Sequence, residues 1–590
     1  MNISNQITNI FAILLLIFMG GLAIYGIANS SLTMDELAHL PAGYSYLIQK
    51  DMRLNPEHPP LVKDLAALPL LFIKNISFPS EIKSWKEDIN GQWDFGNKFL
   101  FWSNNPADEM IFKARIMMIF LLLTLGFFIF KASREFFGNK VALLALFLFS
   151  FSPTFLAHGP LVTTDVGASL GVFIATYYFV KYLINPSKNS LIISGISLGI
   201  ANLLKFSTIL LFPFFGILIF VFSIIKSQNI KDFLKLFILK TVSFILIIII
   251  AFFIIWLVYL YHTLNYPPER QAKDAQFLLQ STPFPFMREF IVQSTGNIFL
   301  RPLAQYFLGL TMVFERAKGG HTMFFLGEIS AAGWKNYFPF VYIVKEPLAM
   351  HILTIIAIFA AILAIKKPFW QNTFLRIKNW INNHLFEFAM LVFIGIYWIT
   401  SLTSNLNLGV RHLLPIFPFV YVLTSIKIID ILKPPYIRIK YLCLSILLIW
   451  QAITVITISP HFLSYFNEII GGPQKGYLYT VDSNLDWGQD LKRLKDWVDE
   501  KGIEKIYIDY FGGADTKYYF KEKFEPWWGT KDQKELPKGS YLAVSVSHLQ
   551  GGRGLPAKGF NQPTGYYLWL NKYEPPIDKI GYSIFIYYIN

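Results

Sequence analysis

Cysteine and charge are both scarce in this sequence of 590 residues. The single cysteine, Cys443, excludes a disulfide within the chain and a thiolate zinc cluster. Charged residues make up only 15% of the chain, whereas apolar residues make up 54% and recur in runs of membrane-spanning length, which predicts a polytopic membrane protein. The net charge of +14 does not indicate nucleic acid as a partner, because the basic residues lie mainly in short loops and form no basic-aromatic groove.

Eleven apolar runs are candidates for membrane spans. They lie near residues 9–29, 112–130, 141–157, 166–184, 190–204, 206–225, 241–261, 347–365, 385–403, 412–429 and 441–459. The first run lacks Lys or Arg before it and is long for a signal core, so we predict a retained helix rather than a cleaved signal peptide. The run around Lys205 could be two short helices that meet at the lysine or one long tilted helix.

Basic residues set the predicted orientation. They collect in the loops after spans two, four, six, eight and ten, including Lys366 and Lys367, and all these loops share one side if the N-terminus is cytoplasmic. The outer face of the plasma membrane then receives residues 30–111, 262–346 and 459–590.

The outer segments contain structure of their own. Aromatic residues in 30–111 and apolar residues at helical spacing in 288–317 predict helices in the membrane interface. After residue 459 the charged fraction rises and an amphipathic helix is flanked by β-rich runs near 506–510, 541–547 and 583–589. We therefore predict an all-α transmembrane domain over 1–458 and a small extracytoplasmic α/β domain over 459–590.

Two adjacent carboxylates, Asp35 and Glu36, follow the first span. Such a pair is costly at a membrane surface unless it is solvated or paired. His39 lies four residues after Asp35, so the two share a face if the segment is helical. The structural alternative is that Asp35 caps an interfacial helix, with Glu36 near the positive end of that helix.

The segment NPEHPPLVKD, residues 55–64, is stiff and charged. Its three prolines remove backbone donors and fix φ, so they prevent a helix and present Glu57 and His58 at a set angle. The structural alternative is a plain turn into the helix that begins near Leu61.

Together these two segments resemble the protein O-mannosyltransferases (family 39) and, more broadly, the lipid-carrier-dependent glycosyltransferases of the GT-C fold. The residues that match are Asp35, Glu36, His39, His58, Pro59, Pro60, Leu61 and Lys63. Further stretches resemble a bacterial branch of the group: Thr163–Asp165, Leu204–Ser207, Gly319–His321, Gly333–Pro339, Lys345–Leu348, Arg411–Pro415, His461–Asn467 and Asp482–Trp487. No segment is long enough for the MIR domain that is inserted in the animal and fungal enzymes.

The resemblance implies an inverting hexosyltransferase. It would move a mannose-like sugar from a polyprenyl-phosphate carrier to a hydroxyl of protein Ser/Thr, a lipid or a glycan, so its partners would be that donor, membrane lipids and the acceptor. Asp35 is the predicted base and Glu36 would tune it. The predicted donor-phosphate and substrate-binding residues are His58, Lys205, Arg411, His412, Lys345, Asp165, His39 and His321.

Several of these residues have structural alternatives. Lys63 and Lys345 could extend to the lipid headgroups, Asp165 could cap its span, and His321 could be an ordinary loop residue. The stretch from Asp486 to Gln489 has the form of a capping box for the following helix.

A metal-dependent enzyme and two non-enzymatic functions are the competing hypotheses. Asp35, His39, Glu57, His58 and His321 offer oxygen and nitrogen ligands for a divalent metal, although we expect no cofactor. A transporter or flippase of lipid-linked sugars would place ionisable residues near the mid-bilayer and show a repeat between its halves. A non-catalytic anchor for the outer domain would show no cluster of acids and bases.

Overall fold

Five helices and a 3₁₀ turn open the chain. The computed structural model describes residues 4–365, 368 and 370–590, so Lys366 and Lys367 lie outside the described residues. The first helices are α1 (Asn5–Ile27), α2 (Met34–Gln49), α3 (Leu61–Ala67), α4 (Lys83–Lys86) and α5 (Gln92–Phe101), with a 3₁₀ turn at Leu68–Phe72. Helices α3 and α5 both pack on α2, so the segment after the first span is a folded cap.

The central part of the chain supplies the core of the helix bundle. Its helices are α6 (Ala107–Phe137), α7 (Asn139–Ser150), α8 (Pro153–His158), α9 (Thr164–Ile184), α10 (Lys188–Leu204), α11 (Leu211–Lys226) and α12 (Ile230–His262). In α9, 78% of the apolar window is buried, against 17% in α12, so α9 lies inside the bundle and α12 faces outward. The predicted span 141–157 is divided into α7 and α8, because Ser152 caps a new helix that begins at Pro153.

Lys205 separates two helices. Helix α10 ends at Leu204, Lys205 has an extended backbone, and a 3₁₀ turn at Phe206–Leu210 leads into α11. The apolar run therefore forms two short helices that meet at the lysine, as the first of the two alternatives predicted.

A second long connecting segment links the bundle to the C-terminal region. It contains α13 (Pro268–Leu278), α14 (Pro285–Ser294), α15 (Arg301–Gly319), strands β1 (Met323–Phe325) and β2 (Glu328–Ser330), and α16 (Tyr337–Lys345). The remaining bundle helices are α17 (Leu348–Leu363), α18 (Thr373–Asn383), α19 (Leu385–Thr403), α20 (Phe417–Ile431) and α21 (Ile437–Ile458), with a 3₁₀ helix at Val410–Ile416 before α20.

Among the described residues, eight helices are long and apolar enough to cross a membrane, or nine if the bent pair α16 and α17 is one span. Two further predicted spans correspond to the shorter apolar helices α7 and α10. The chain is therefore a multi-pass membrane protein, and the predicted helical class with a small C-terminal α/β region is confirmed.

Short elements follow α21. They are α22 (Leu491–Glu500), β3 (Ile506–Asp509), α23 (Thr516–Phe520), β4 (Phe524–Pro526), β5 (Ser540–Ser545), α24 (Val546–Arg553), β6 (Leu555–Pro556), β7 (Asp578–Ile580) and β8 (Ile584–Ile589). Five strands form one sheet in the order β4-β3-β5-β8-β7, in which β3 is parallel to β4 and β5, and β8 is antiparallel to β5 and β7. Strand β6 pairs with β2, which joins this region to the second connecting segment.

Candidate active site

A cavity of about 510 Å³ opens among helix ends. Its walls come from the start of α2, the proline-rich loop after α2, the start of α9, the α10–α11 junction, α15, the end of α19 and the 3₁₀ helix before α20. Six of the predicted site residues line it: Asp35, His58, Asp165, Lys205, Arg411 and His412. The helix ends that carry them all fall on one side of the bundle in the predicted topology.

An alternating chain of charges crosses one wall of the cavity. Arg411 Nη1 donates to Asp35 Oδ2 at 2.9 Å and lies 3.3 Å from Asp165 Oδ2. The ammonium of Lys205 is 2.5 Å from the other oxygen of Asp165. The structure thus brings together four predicted residues from distant parts of the sequence, with Asp35 and Arg411 separated by 376 positions.

Asp35 is the member of this chain that is most open to the cavity. Its side chain is 25% exposed, against 1% for Asp165. Thr33 precedes α2 as its N-cap residue and its backbone N–H donates to Glu36 Oε2 at 2.9 Å, so Asp35 does not cap the helix. Burial raises the pKa of Asp35, but the guanidinium of Arg411 outweighs it, so the pKa lies below its ordinary value and the carboxylate is ionised at neutral pH.

Glu36 lies behind Asp35 and does not reach the cavity. Its carboxylate is fully buried, with Arg115 Nη2 at 2.6 Å and Nε at 2.9 Å, and it also accepts from the backbone N–H of Val162 at 3.0 Å. Arg115 in turn donates to the carbonyls of Ser30 and Ser31. This pair fixes the start of α2 against α6 and so sets the position of Asp35.

His58 lines the cavity, and His39 supports it from behind. The two rings make an edge contact with centroids 4.9 Å apart, and His39 Nδ1 lies 2.8 Å from the Val162 carbonyl oxygen. Burial, followed by the positive charges of His39, Lys63, Lys205 and Arg316, holds the pKa of His58 well below its ordinary value. His58 is therefore a neutral side chain at physiological pH and can donate or accept one hydrogen bond per ring nitrogen.

Lys63 anchors the proline-rich loop from inside. Its ammonium is fully buried and donates to the carbonyls of Asn55 and His58 at 2.8 Å each, and to Tyr46 Oη at 2.9 Å. The expected extension of Lys63 to the headgroups is therefore wrong. Its charge holds the loop that carries His58 instead of meeting lipid.

Lys345 and His321 are not brought into the cavity. Lys345 is 2% exposed and donates to the carbonyls of Leu463, Tyr465 and Asn484 at 2.5–2.9 Å, so it neither lines the cavity nor extends to the headgroups. His321 lies in the exposed loop between α15 and β1.

Several groups at the cavity are not among the predicted donor-phosphate and substrate-binding residues. Arg316 and Lys318, in the last turn of α15, line it, as does Glu57, whose carboxylate accepts from Gln92 Nε2 at 2.6 Å. Ser483 and Trp487, from the chain after α21, contact Arg411 from behind. The placement of Arg316 and Lys318 depends on how α15 packs, which no local pattern in the sequence reveals.

Within the part of the chain that the structure describes, no group of three His, Cys, Asp or Glu side chains is placed to hold a metal ion. Asp35 and Asp165 each pair with a basic side chain.

Gly309 brings α15 close to the proline-rich loop. A Cβ at this position would lie 2.1 Å from the Pro56 carbonyl oxygen and 2.6 Å from the ring of Phe206. Gly309→Ala should therefore lower the free energy of unfolding by about 1–3 kcal/mol, because backbone must move to admit the methyl group. Thermal unfolding in detergent measures this effect.

Gly395→Ala, in α19 with open space around the new Cβ, is the matched control and should not destabilise the protein. Equal melting temperatures for the two variants would contradict the close packing.

One part of the chain matches a known protein family. Residues 107–256 match the family model described as dolichyl-phosphate-mannose-protein mannosyltransferase, and this range includes Asp165 and Lys205. The match confirms the predicted resemblance for this range and supports glycosyl transfer in general terms. No curated protein matches the sequence.

Three solved structures are similar at low identity. The archaeal oligosaccharyltransferase AglB from Archaeoglobus fulgidus, in complex with an inhibitory peptide and a dolichol-phosphate, is 11% identical with a TM-score of 0.45, over 90% of this chain and 69% of that one. The S. cerevisiae protein O-mannosyltransferase Pmt1-Pmt2 complex bound to the sugar donor is 17% identical with a TM-score of 0.32, over 45% and 34%. ArnT from Cupriavidus metallidurans in the apo state is 10% identical with a TM-score of 0.30, over 98% and 97%.

Proposed function

We propose that this chain, a membrane protein whose residues 107–256 match the dolichyl-phosphate-mannose-protein mannosyltransferase model, is an inverting glycosyltransferase. It moves a hexose from a polyprenyl-phosphate carrier to an acceptor hydroxyl on the outer face of the membrane. The observation that carries the proposal is the 2.9 Å contact between Asp35 and Arg411 in the wall of one cavity, beside Lys205, His58 and His412.

Asp35 acts as the base in this proposal. The acceptor oxygen attacks the anomeric carbon as the bond from that carbon to the phosphate oxygen breaks. The bonding electron pair leaves with the phosphate, and the hydroxyl proton passes to the Asp35 carboxylate. Attack from the face opposite the phosphate inverts the anomeric configuration. No proton is needed on the leaving phosphate, which instead requires positive charge and hydrogen-bond donors nearby.

The cavity contains a surplus of positive charge. Three carboxylates line it, those of Asp35, Glu57 and Asp165, against four basic side chains, those of Lys205, Arg316, Lys318 and Arg411. Lys205 and Arg411 are already paired with Asp165 and Asp35, whereas the side-chain nitrogens of Arg316 and Lys318 make no hydrogen bond or ion pair with any residue that the structure describes. We therefore assign the main attraction for the carrier phosphate to Arg316 and Lys318, and its close contacts to Arg411 and Lys205.

The apolar part of the same cavity suits the prenyl chain. Its lining includes Phe206, Leu210, Leu310, Val313 and Phe314, on the α10–α11 junction and α15. Phe314 is 51% exposed, so this wall is open to the surroundings of the bundle. A carrier could thus hold its phosphate among the basic groups and its hydrocarbon against α15.

A transfer assay tests the function. Purified protein in vesicles would receive polyprenyl-phosphate mannose labelled in the sugar, together with an extract of outer-face proteins and glycolipids from cells that lack this chain. We expect labelled sugar to become covalently attached to an acceptor, and only when the donor and extract reach the face that carries residues 30–111. Movement of intact labelled donor across the bilayer without bond cleavage would favour a flippase instead.

Removing the two unpaired cations should weaken donor binding selectively. In Arg316→Met/Lys318→Met, we expect the KM for the donor to rise about 10- to 100-fold with kcat little changed, because the two unpaired positive charges that attract the phosphate are lost. Lys273→Met is the matched control, since Lys273 is exposed on α13 and does not line the cavity. A fall in kcat at unchanged KM would contradict the assignment of the phosphate to these residues.

A further inference from the structure

A segment after α21, Asp482–Trp487, surrounds the back of Arg411. We infer that this segment, named the Arg411 collar, positions the Arg411 guanidinium for contact with the carrier phosphate, so that the C-terminal region completes the donor site. The inference rests on the proposed function, and within the collar the positioning residues are Trp487 and Ser483.

Two collar side chains define the plane of the guanidinium. The ring of Trp487 lies 4.2 Å from Arg411 Cζ, and Trp487 is only 2% exposed. Ser483 Oγ accepts from Arg411 Nε at 3.2 Å and itself donates to the Leu408 carbonyl. A cation over an aromatic face together with a hydrogen bond at Nε removes the rotations that a single ion pair would leave free.

The carboxylates do not fix this orientation on their own. Asp35 and Asp165 both contact the same nitrogen of Arg411, Nη1. With Nε held by Ser483, the second terminal nitrogen, Nη2, makes no hydrogen bond to any residue in the described ranges. Arg411 lines the cavity, so a guanidinium held in this plane keeps Nη2 available for an anion there.

The collar is held in place by buried contacts of its own. Asn484 Oδ1 accepts from the Val410 backbone N–H at 2.9 Å, and Asn484 Nδ2 donates to Tyr337 Oη at 2.8 Å. Lys345 donates to the Asn484 carbonyl at 2.6 Å. These bonds join the collar to the residue before Arg411, and they give Lys345 a role in supporting the donor site from outside the cavity.

The collar packs closely against the backbone at Gly409, two residues before Arg411. Gly409 has a φ of +113°, and a Cβ there would lie 2.5 Å from Ser483 Oγ. The predicted capping box at Asp486–Gln489 does not start α22, because the N-cap of that helix is Asp490. Asp486 is instead buried and accepts from the Ser547 backbone N–H at 2.9 Å, which ties the collar to α24.

Binding of undecaprenyl phosphate and of undecaprenol to the full chain in nanodiscs tests the collar. The phosphate and the alcohol share the hydrocarbon, so their affinity ratio reports the phosphate contact alone. We expect Trp487→Leu to weaken undecaprenyl phosphate about 10-fold and to leave undecaprenol unchanged, whereas Trp487→Phe keeps the aromatic face and most of the ratio. Ser483→Ala removes one oxygen and should weaken the phosphate about 3- to 10-fold.

Trp527→Leu is the matched control. Trp527 is also buried in the C-terminal region, at 4% exposure, but its ring makes an edge contact with Tyr507 instead of with Arg411. Its loss should lower the melting temperature without changing the affinity ratio. If Trp487→Leu and Ser483→Ala keep the wild-type ratio, or weaken both lipids equally, the collar does not position Arg411. If the wild-type protein itself does not distinguish the phosphate from the alcohol, the proposed donor site fails first.

Discussion

Asp35→Asn should lower the rate of sugar transfer about 1000-fold, with the donor KM changed by no more than about 3-fold. Asparagine has nearly the shape of aspartate and can still accept a hydrogen bond from Arg411, so the wall of the cavity should keep its geometry. It cannot take the proton of the acceptor hydroxyl, and it offers no negative charge to the electron-poor anomeric carbon. Both losses act in the transition state and not on donor binding.

The measurement is single-turnover transfer of labelled sugar by purified variants at saturating donor. Asp94→Asn is the control, because Asp94 lies on the neighbouring helix α5, is 54% exposed, pairs with Lys98 one turn away and does not line the cavity. It should keep wild-type activity. If Asp35→Asn retains more than about a tenth of the wild-type rate, Asp35 is not the base, since general-base catalysis alone contributes 10²–10⁴.

Four of the six cavity residues that the sequence predicts share one property. Asp35, Asp165, Lys205 and Arg411 each lie near the end of a long apolar run, where a charged side chain interrupts the hydrophobic pattern. Such interruptions can be recognised from the sequence alone, and the alternation of the predicted spans places them on one side of the membrane. Their convergence into a single wall follows from the topology.

The roles of individual lysines could not be predicted in the same way. Lys63 and Lys345 have flanking sequences that suit a headgroup contact, yet both are buried and donate to backbone carbonyls. Whether a lysine finds buried acceptors depends on how loops fold around it: Asn55, eight residues away, is turned toward Lys63, and Asn484, 139 residues away, is turned toward Lys345. The collar is a similar case, because Ser483 and Arg411 are 72 residues apart.

Glu36 shows how a local pattern can mislead. Its position next to Asp35 favours a catalytic partner, and the structural alternative places it near the positive end of a helix capped by Asp35. The structure adds a third element, Arg115, which lies near the start of the predicted second span, two residues after Lys113. The pairing could have been proposed from the rarity of an unpaired intramembrane arginine.

Arg115→Met should lower the free energy of unfolding by about 3–5 kcal/mol, because it leaves the Glu36 carboxylate buried without its counter-charge. The side chains of Arg115 and Glu36 are 1% and 0% exposed, so water cannot replace the lost partner in the folded protein. Arg115 also satisfies the carbonyls of Ser30 and Ser31, which would lose their donors. Unfolding by SDS in mixed micelles, followed by loss of helical circular dichroism, measures the change.

Lys113→Met is the control on the same helix, since Lys113 is 40% exposed and pairs only with Glu109, and it should change stability by less than about 0.5 kcal/mol. The double variant Glu36→Gln/Arg115→Met separates charge from packing. Its amide no longer carries a buried charge and can still accept from Val162, so it should be more stable than Arg115→Met alone. If the double variant is the less stable of the two, the cost comes from lost packing of the arginine stem and not from an unpaired carboxylate. In that event, side-chain packing, and not the ion pair, would hold the start of α2 and with it Asp35.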